Sequence, residues 1–157
     1  MDEDQPPQAD GPDAPTGDAL DRPSVPPLGL SATTLLAVFV GGALGTLARY
    51  LLDAHNPVPQ GNFPWVTLVI NLSGSLAIGL LVPLTEHVST SAPWARPLLV
   101  VGFLGGWTTY STLAVEAALL VKDGDIVSFV AYVAATVIGG LTLVVVGTAL
   151  GRRMVPS

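Results

Sequence analysis

Gly102-Phe103-Leu104-Gly105-Gly106-Trp107-Thr108-Thr109-Tyr110-Ser111-Thr112-Leu113 lies inside an otherwise apolar run from Pro97 to Val121. At about 1.5 Å per helical residue, that run is long enough to cross a hydrocarbon core of about 30 Å. Its middle is not built like a lipid-facing helix. Three glycines precede an almost continuous row of hydroxyls, Thr108, Thr109, Ser111 and Thr112, where a plain anchor carries leucine and valine. Backbone polar groups released from a helix at membrane depth are tolerated only where protein, water or an ion satisfies them. Taken singly, each glycine serves close helix packing and each hydroxyl bonds back to a carbonyl one turn earlier. Crowded together, they read as a broken or strained transmembrane helix that lines a site.

The surroundings agree with a membrane setting. Half of the 157 residues are hydrophobic and only 11% are charged, too apolar a balance for an ordinary soluble domain. The formal charge of −6 is a property of one end, because seven of the twelve acids (Asp2, Glu3, Asp4, Asp10, Asp13, Asp18, Asp21) precede residue 28 and face a single base there, Arg22. Residues 1–28 are rich in Pro, Asp and Ala and lack apolar periodicity, so a disordered acidic tail is expected, without the basic start and apolar run of a signal peptide. Residues 29–157 form the membrane domain. With no cysteine, thiol chemistry and disulfides are excluded, and His55 and His87 fall in separate connections with no ligand partner near in sequence. No nucleic-acid partner is expected.

With three further apolar segments, this run makes four spans, taken here in chain order. The first, about 32–52, carries Gly41-Gly42 and Gly45 as a small-residue face for close backbone approach, and ends near Arg49, which snorkels to the interface or pairs inside. The second, about 65–84, opens on the interfacial Trp65 and contains Asn71, which suits either interhelical glue or a ligand-facing donor. The third, about 97–121, holds Glu116 beyond its break; an intramembrane acid needs a partner or a cavity, and Arg49 is a candidate partner. The turn Lys122-Asp123-Gly124-Asp125 leads into the fourth, about 126–150, where Tyr132, Thr136 and Gly140 share a face able to offer hydroxyls to a pore. Four spans put both termini on one side. Counting Arg22, Arg96, Arg152 and Arg153 against Arg49 and Lys122 gives a modest bias toward cytoplasmic termini.

Three stretches in this order, Gly41-Gly42-Ala43-Leu44-Gly45-Thr46-Leu47-Ala48-Arg49-Tyr50, Thr67-Leu68-Val69-Ile70-Asn71-Leu72-Ser73-Gly74-Ser75 and the opening one, resemble the Fluc (CrcB-type) fluoride channel family over residues 35–151. The resemblance implies an all-α integral membrane protein of the cell (plasma) membrane, four transmembrane helices with a break in the third, paired as an antiparallel, dual-topology dimer. It implies a passive fluoride channel rather than an enzyme, exporting fluoride from the cytoplasm, with fluoride and lipid as partners and a homologous subunit, identical or not, across the interface. A structural Na+ cofactor would sit on the two-fold axis, held by the backbone carbonyls of Gly105 and Thr108. The ion pathway would fall on Asn71, Tyr110, Ser111, Thr112, Leu113, Tyr132 and Thr136, with Arg49, Thr109 and Glu116 as structural polar groups. The family's two pore phenylalanines, three positions apart, are Tyr110 and Leu113 here; a tyrosine keeps the positive ring edge, whereas leucine has no quadrupole.

Two rival readings share the four-helix outline. A small multidrug-resistance-type exchanger needs a protonatable acid within its first helix, and 32–52 holds none. A non-conducting assembly subunit would use the same polar residues only as glue.

Overall fold

The computed structural model describes residues 31–59 and 61–155. The acidic tail lies outside the described residues. Among the described residues, four helical spans of membrane length and apolar composition make up the fold. Helix α1 (Ala32–His55) starts at Ser31, whose hydroxyl accepts from the Thr34 N–H at 3.1 Å, and stops before Pro57. Helix α2 (Trp65–His87) runs three residues past the expected end, carrying Pro83 inside it. The third span divides into α3, with Pro97–Leu104 wound in wide i→i+5 turns and Gly105–Trp107 in ordinary ones, and α4 (Tyr110–Lys122). Thr108 and Thr109 between them are extended, with ψ of 154° and 123°. The chain then turns at Gly124, where a φ of 80° favours glycine, and α5 (Ile126–Met154) returns four residues further than expected. Asp125 caps α5 by accepting from the Ser128 N–H at 3.0 Å, a bond that holds its carboxyl below the usual carboxylate range.

Glycine decides which helices touch. A Cβ on Gly41 or Gly45 would run into the Leu98 or Phe103 carbonyl, and one on Gly102 would lie 2.8 Å from the Val38 carbonyl, so α1 and α3 meet backbone to backbone. On the other side Gly79 faces Val144 and Thr148, Gly147 faces Leu76 and Leu80, and Gly151 faces Leu80. In both seams residue numbers rise together, so α1 runs parallel to α3 and α2 parallel to α5. That is the required geometry for four alternating crossings whose first and third, and second and fourth, spans share a direction. An apolar cluster of Leu68, Ala117, Leu120 and the fully buried Tyr132 joins α2, α4 and α5.

Large apolar side chains remain on the outside, among them Phe39, Val127 and Leu141. A surface of this kind is stable against lipid or another subunit, not against water.

Candidate functional site

The site grows from the interruption at Thr108–Thr109. In an unbroken helix the Thr109 N–H would bond the Gly105 carbonyl, and the Thr112 N–H the Thr108 carbonyl. Here the Thr109 N–H donates instead to Asn71 Oδ1 at 2.8 Å, and the Thr112 N–H to Thr109 Oγ1 at 3.2 Å. Both carbonyls are thereby deprived of their helical donors. These are the two carbonyls on which the family resemblance would place a sodium ion. A Cβ on Gly105 would meet nothing within 4 Å, so its side of the break faces open space. Carbonyl oxygens stripped of donors are a suitable donor set for a small hard cation. Among the described residues no cluster of three His, Asp or Glu side chains offers an alternative metal site.

Neighbouring helices hold the break open. Asn71 Nδ2 also donates to the Thr109 carbonyl at 3.0 Å, so one side chain serves both polar groups of a single residue. Arg49 Nε donates to the Gly106 carbonyl at 3.2 Å. Gly74 leaves the space that the Thr108 methyl fills. Among the described residues no buried side-chain polar atom lacks a partner.

Beside the break runs an open groove lined by Asn71, Ser75, Ile78, Thr108, Thr109, Tyr110, Leu113 and Thr136. Four of the expected ion-pathway residues, Asn71, Tyr110, Leu113 and Thr136, come together here. Tyr110 is 82% exposed, its ring free to meet whatever covers the groove. Leu113 belongs both to the groove and to the rim of the apolar cluster. Ser111 and Thr112 lie on the first turn of α4 and bond Thr109 Oγ1 at 3.3 and 3.0 Å.

Tyr132 stands away from the groove. It is fully buried, edge-on to Phe63 at 5.7 Å, and donates to Glu116 Oε2 at 2.7 Å, while Thr67 Oγ1 donates to Glu116 Oε1 at 2.9 Å. The intramembrane acid is therefore held by two hydroxyls rather than by Arg49, which turns to Gly106 and lies 4.0 Å from Asp53. Glu116 also forms part of the wall of a pocket beneath the Asn56–Pro64 connection, with Asn62 and Asp123.

Ser75 lines the groove as well, although it is not among the residues expected there. It sits four positions after Asn71, so helical spacing alone puts both on one face. The groove's threonines have committed their hydrogens, Thr108 to the Leu104 carbonyl at 3.0 Å, Thr109 to Thr112, and Thr136 to the Tyr132 carbonyl at 2.9 Å. Donors for an anion in the groove are thus the second amide hydrogen of Asn71 and the hydroxyls of Ser75 and Tyr110.

Residues 36–148 match the family model for the CrcB-like protein, Camphor Resistance (CrcB). The chain is 41% identical over 128 residues to a protein of Nocardia farcinica named fluoride-specific ion channel FluC 2, covering 82% of this chain and 90% of that one. It is 43% identical over 122 residues to fluoride-specific ion channel FluC of Rhodospirillum centenum (77% and 97%), and 39% over 122 residues to the FluC of Rhizobium meliloti (77% and 98%). The chain belongs to the CrcB/FluC family. FluC proteins are ion channels rather than enzymes, and the four apolar spans make this member a multi-pass protein of the plasma membrane. The family match covers the break, the groove and both glycine seams except Gly151, and leaves out residues 1–35 and 149–157.

Proposed function

We propose that this chain is a passive, fluoride-selective channel that drains fluoride from the cytoplasm and so relieves its toxicity, working as an antiparallel dimer. The observation that carries the reading is the groove: unspent donors on Asn71, Ser75 and Tyr110, with the Tyr110 ring at its edge, run beside a helix break in a chain whose relatives are named fluoride-specific ion channels. Fluoride is small and tightly hydrated, so a path through a low-dielectric medium must replace its water with N–H and O–H donors and positive ring edges. Where the cell interior is negative, the potential drives an anion outward at about 2.3 kcal/mol per charge per 100 mV. No energy coupling is needed. The groove is open along one side in a single chain, and an oppositely inserted subunit is the surface that closes it.

A sodium ion bound at the dimer centre fits the Gly105 and Thr108 carbonyls, whose helical donors are diverted to Asn71 and Thr109. When bound, it supplies a fixed positive potential to a nearby anion path. Arg49, Asn71 and Gly74 keep the break from re-forming a helix, and with it the direction of those carbonyls.

Leu113 favours a second form of the same reading, one subunit of a heteromeric channel. It occupies the groove where an aromatic edge is expected, and the arginine bias toward cytoplasmic termini suits a chain with a committed orientation and a complementary partner.

The test is fluoride efflux from liposomes containing this purified chain alone, followed with a fluoride electrode. Rapid efflux that exceeds chloride efflux and weakens after sodium removal is expected of the homodimer. Efflux only when a homologous subunit is added supports the heteromeric form. No fluoride efflux in either case overturns the channel reading.

A further inference from the structure

Four consecutive residues at the break are each engaged by a different group: Gly106 by Arg49, Trp107 by Ser73, Thr108 by Gly74 and Thr109 by Asn71. Three of those groups come from one turn of α2, Asn71 to Gly74. The need to satisfy broken backbone explains Asn71 and Arg49, and the need for space explains Gly74. It does not explain the pair formed by Ser73 and Trp107, which joins two side chains.

Trp107 Nε1–H donates to Ser73 Oγ at 3.0 Å, and the Ser73 hydroxyl donates onward to the Ile70 carbonyl at 3.0 Å. The hydroxyl hydrogen is thus committed, which leaves its oxygen as an acceptor for the indole. The ring is held on its other sides as well. It lies nearly parallel to Phe103 one turn earlier, with centroids 6.4 Å apart and planes 8° apart, and its Cδ1 would be only 3.2 Å from a Cβ on Gly74. Ser73 is on the outer surface of the bundle, where lipid or a second subunit replaces water. An indole N–H there has few other acceptors.

We infer that the Trp107–Ser73 pair is a latch that fixes the rotation of the last turn of α3, and thereby aims the Gly105 and Thr108 carbonyls. Trp107 lies between those two residues in sequence, and a helix end that has lost its following turn frays unless a side chain ties it down. Asn71 secures the chain just after the interruption. The latch secures it just before, so both sides of the break are referenced to the same turn of α2. As a positioning pair it rests on the sodium reading for the ion it serves, but its mechanical claim concerns backbone order at residues 105–112 alone.

The test uses the full chain in liposomes with four variants: Trp107→Phe, which deletes the N–H and keeps a ring beside Phe103; Ser73→Ala; the double variant; and Ser73→Thr, which restores a hydroxyl. Amide hydrogen exchange at residues 105–108 and the sodium concentration giving half-maximal fluoride efflux are measured for each. Each single loss is expected to speed exchange at the break about tenfold, the equivalent of one hydrogen bond, with exchange along 139–147 unchanged. The sodium requirement rises in parallel, the double variant is no worse than either single because both remove one bond, and Ser73→Thr behaves as the parent. Unchanged exchange at the break in Ser73→Ala, which removes no bulk and tests the latch even if Trp107→Phe inserts poorly, overturns the inference. So do additive effects in the double variant. If the parent's efflux is indifferent to sodium, the sodium reading falls by itself, and the exchange data still decide the latch.

Discussion

Along the α2–α5 seam two regular helices touch through Gly79, Gly147 and Gly151, and polar side chains play little part; at Gly105–Thr109 the third span gives up its own hydrogen bonds and takes replacements from α1 and α2. In the first region the absence of side chains does the work. In the second, specific side chains do it. A seam of that kind tolerates no added volume but is indifferent to polarity, whereas the break depends on individual donors and has open space on one side. The two regions should therefore fail differently when altered.

The largest effect is expected at the seam. In Gly147→Leu the new Cβ would lie 2.9 Å from the Leu80 N–H nitrogen and closer still to the Leu76 carbonyl, with a branched side chain beyond it. The two helices must separate, at a cost of about 3 kcal/mol or more. Loss of a monodisperse species in detergent and a large drop in thermal midpoint are the expected readouts; a normal elution profile would show that the seam is looser than its glycines imply.

At the break, Asn71→Asp removes the donor to the Thr109 carbonyl and, when ionised, places negative charge beside both that carbonyl and the anion path. Fluoride efflux should fall by about 100-fold at equal protein level, and Asn71→Ser, uncharged but too short to span Thr109, by about tenfold. Equal efflux from all three proteins would reduce Asn71 to helix glue and erase the contrast between the regions.

Much of this contrast was legible in the sequence, for a physical reason. Span number and order follow from hydropathy, and a helix seam follows from glycines four apart, as in Gly41/Gly45 and Gly102/Gly106. The break announces itself through small and hydroxylated residues where lipid would select leucine. What stayed hidden is everything that depends on how helices are rotated against one another. Glu116 was given Arg49 as a candidate partner because both are charged and lie in spans, yet the packing brings Thr67 and Tyr132 to the acid and Gly106 to the arginine. The wide turns of Pro97–Leu104 also left no trace, since nothing in Leu-Leu-Val-Val marks an i→i+5 pattern. Asn71 was legible as polar in a span, but its pairing with both polar groups of Thr109 required knowing which turn of α2 faces the break.

A smaller effect sharpens the comparison within the groove. Leu113→Phe adds a ring where the groove meets the apolar cluster, giving the anion a positive edge without touching the hydrogen bonds of the break. Efflux from the single-chain liposomes should rise roughly threefold. No change, or a slower channel, in a chain that already conducts rapidly would make Leu113 an ordinary packing residue.

The smallest effect is expected from deleting residues 1–28, and the charge distribution supplies the reason. The segment contains seven acids and Arg22, so its removal takes the formal charge of the chain from −6 to zero, with every span, both seams, the break and the groove left in place. The family match begins at residue 36, beyond this segment. Long-range repulsion between its acids and an anion path is screened by salt within about 8 Å at physiological ionic strength. Efflux should therefore stay within about twofold of the full chain at 150 mM salt, with any excess appearing only as salt is lowered. A large loss of efflux at equal protein level, persisting in high salt, would mean that the acidic segment makes a short-range contact with the channel body, and the division between a working membrane domain and a dispensable tail would have to be abandoned.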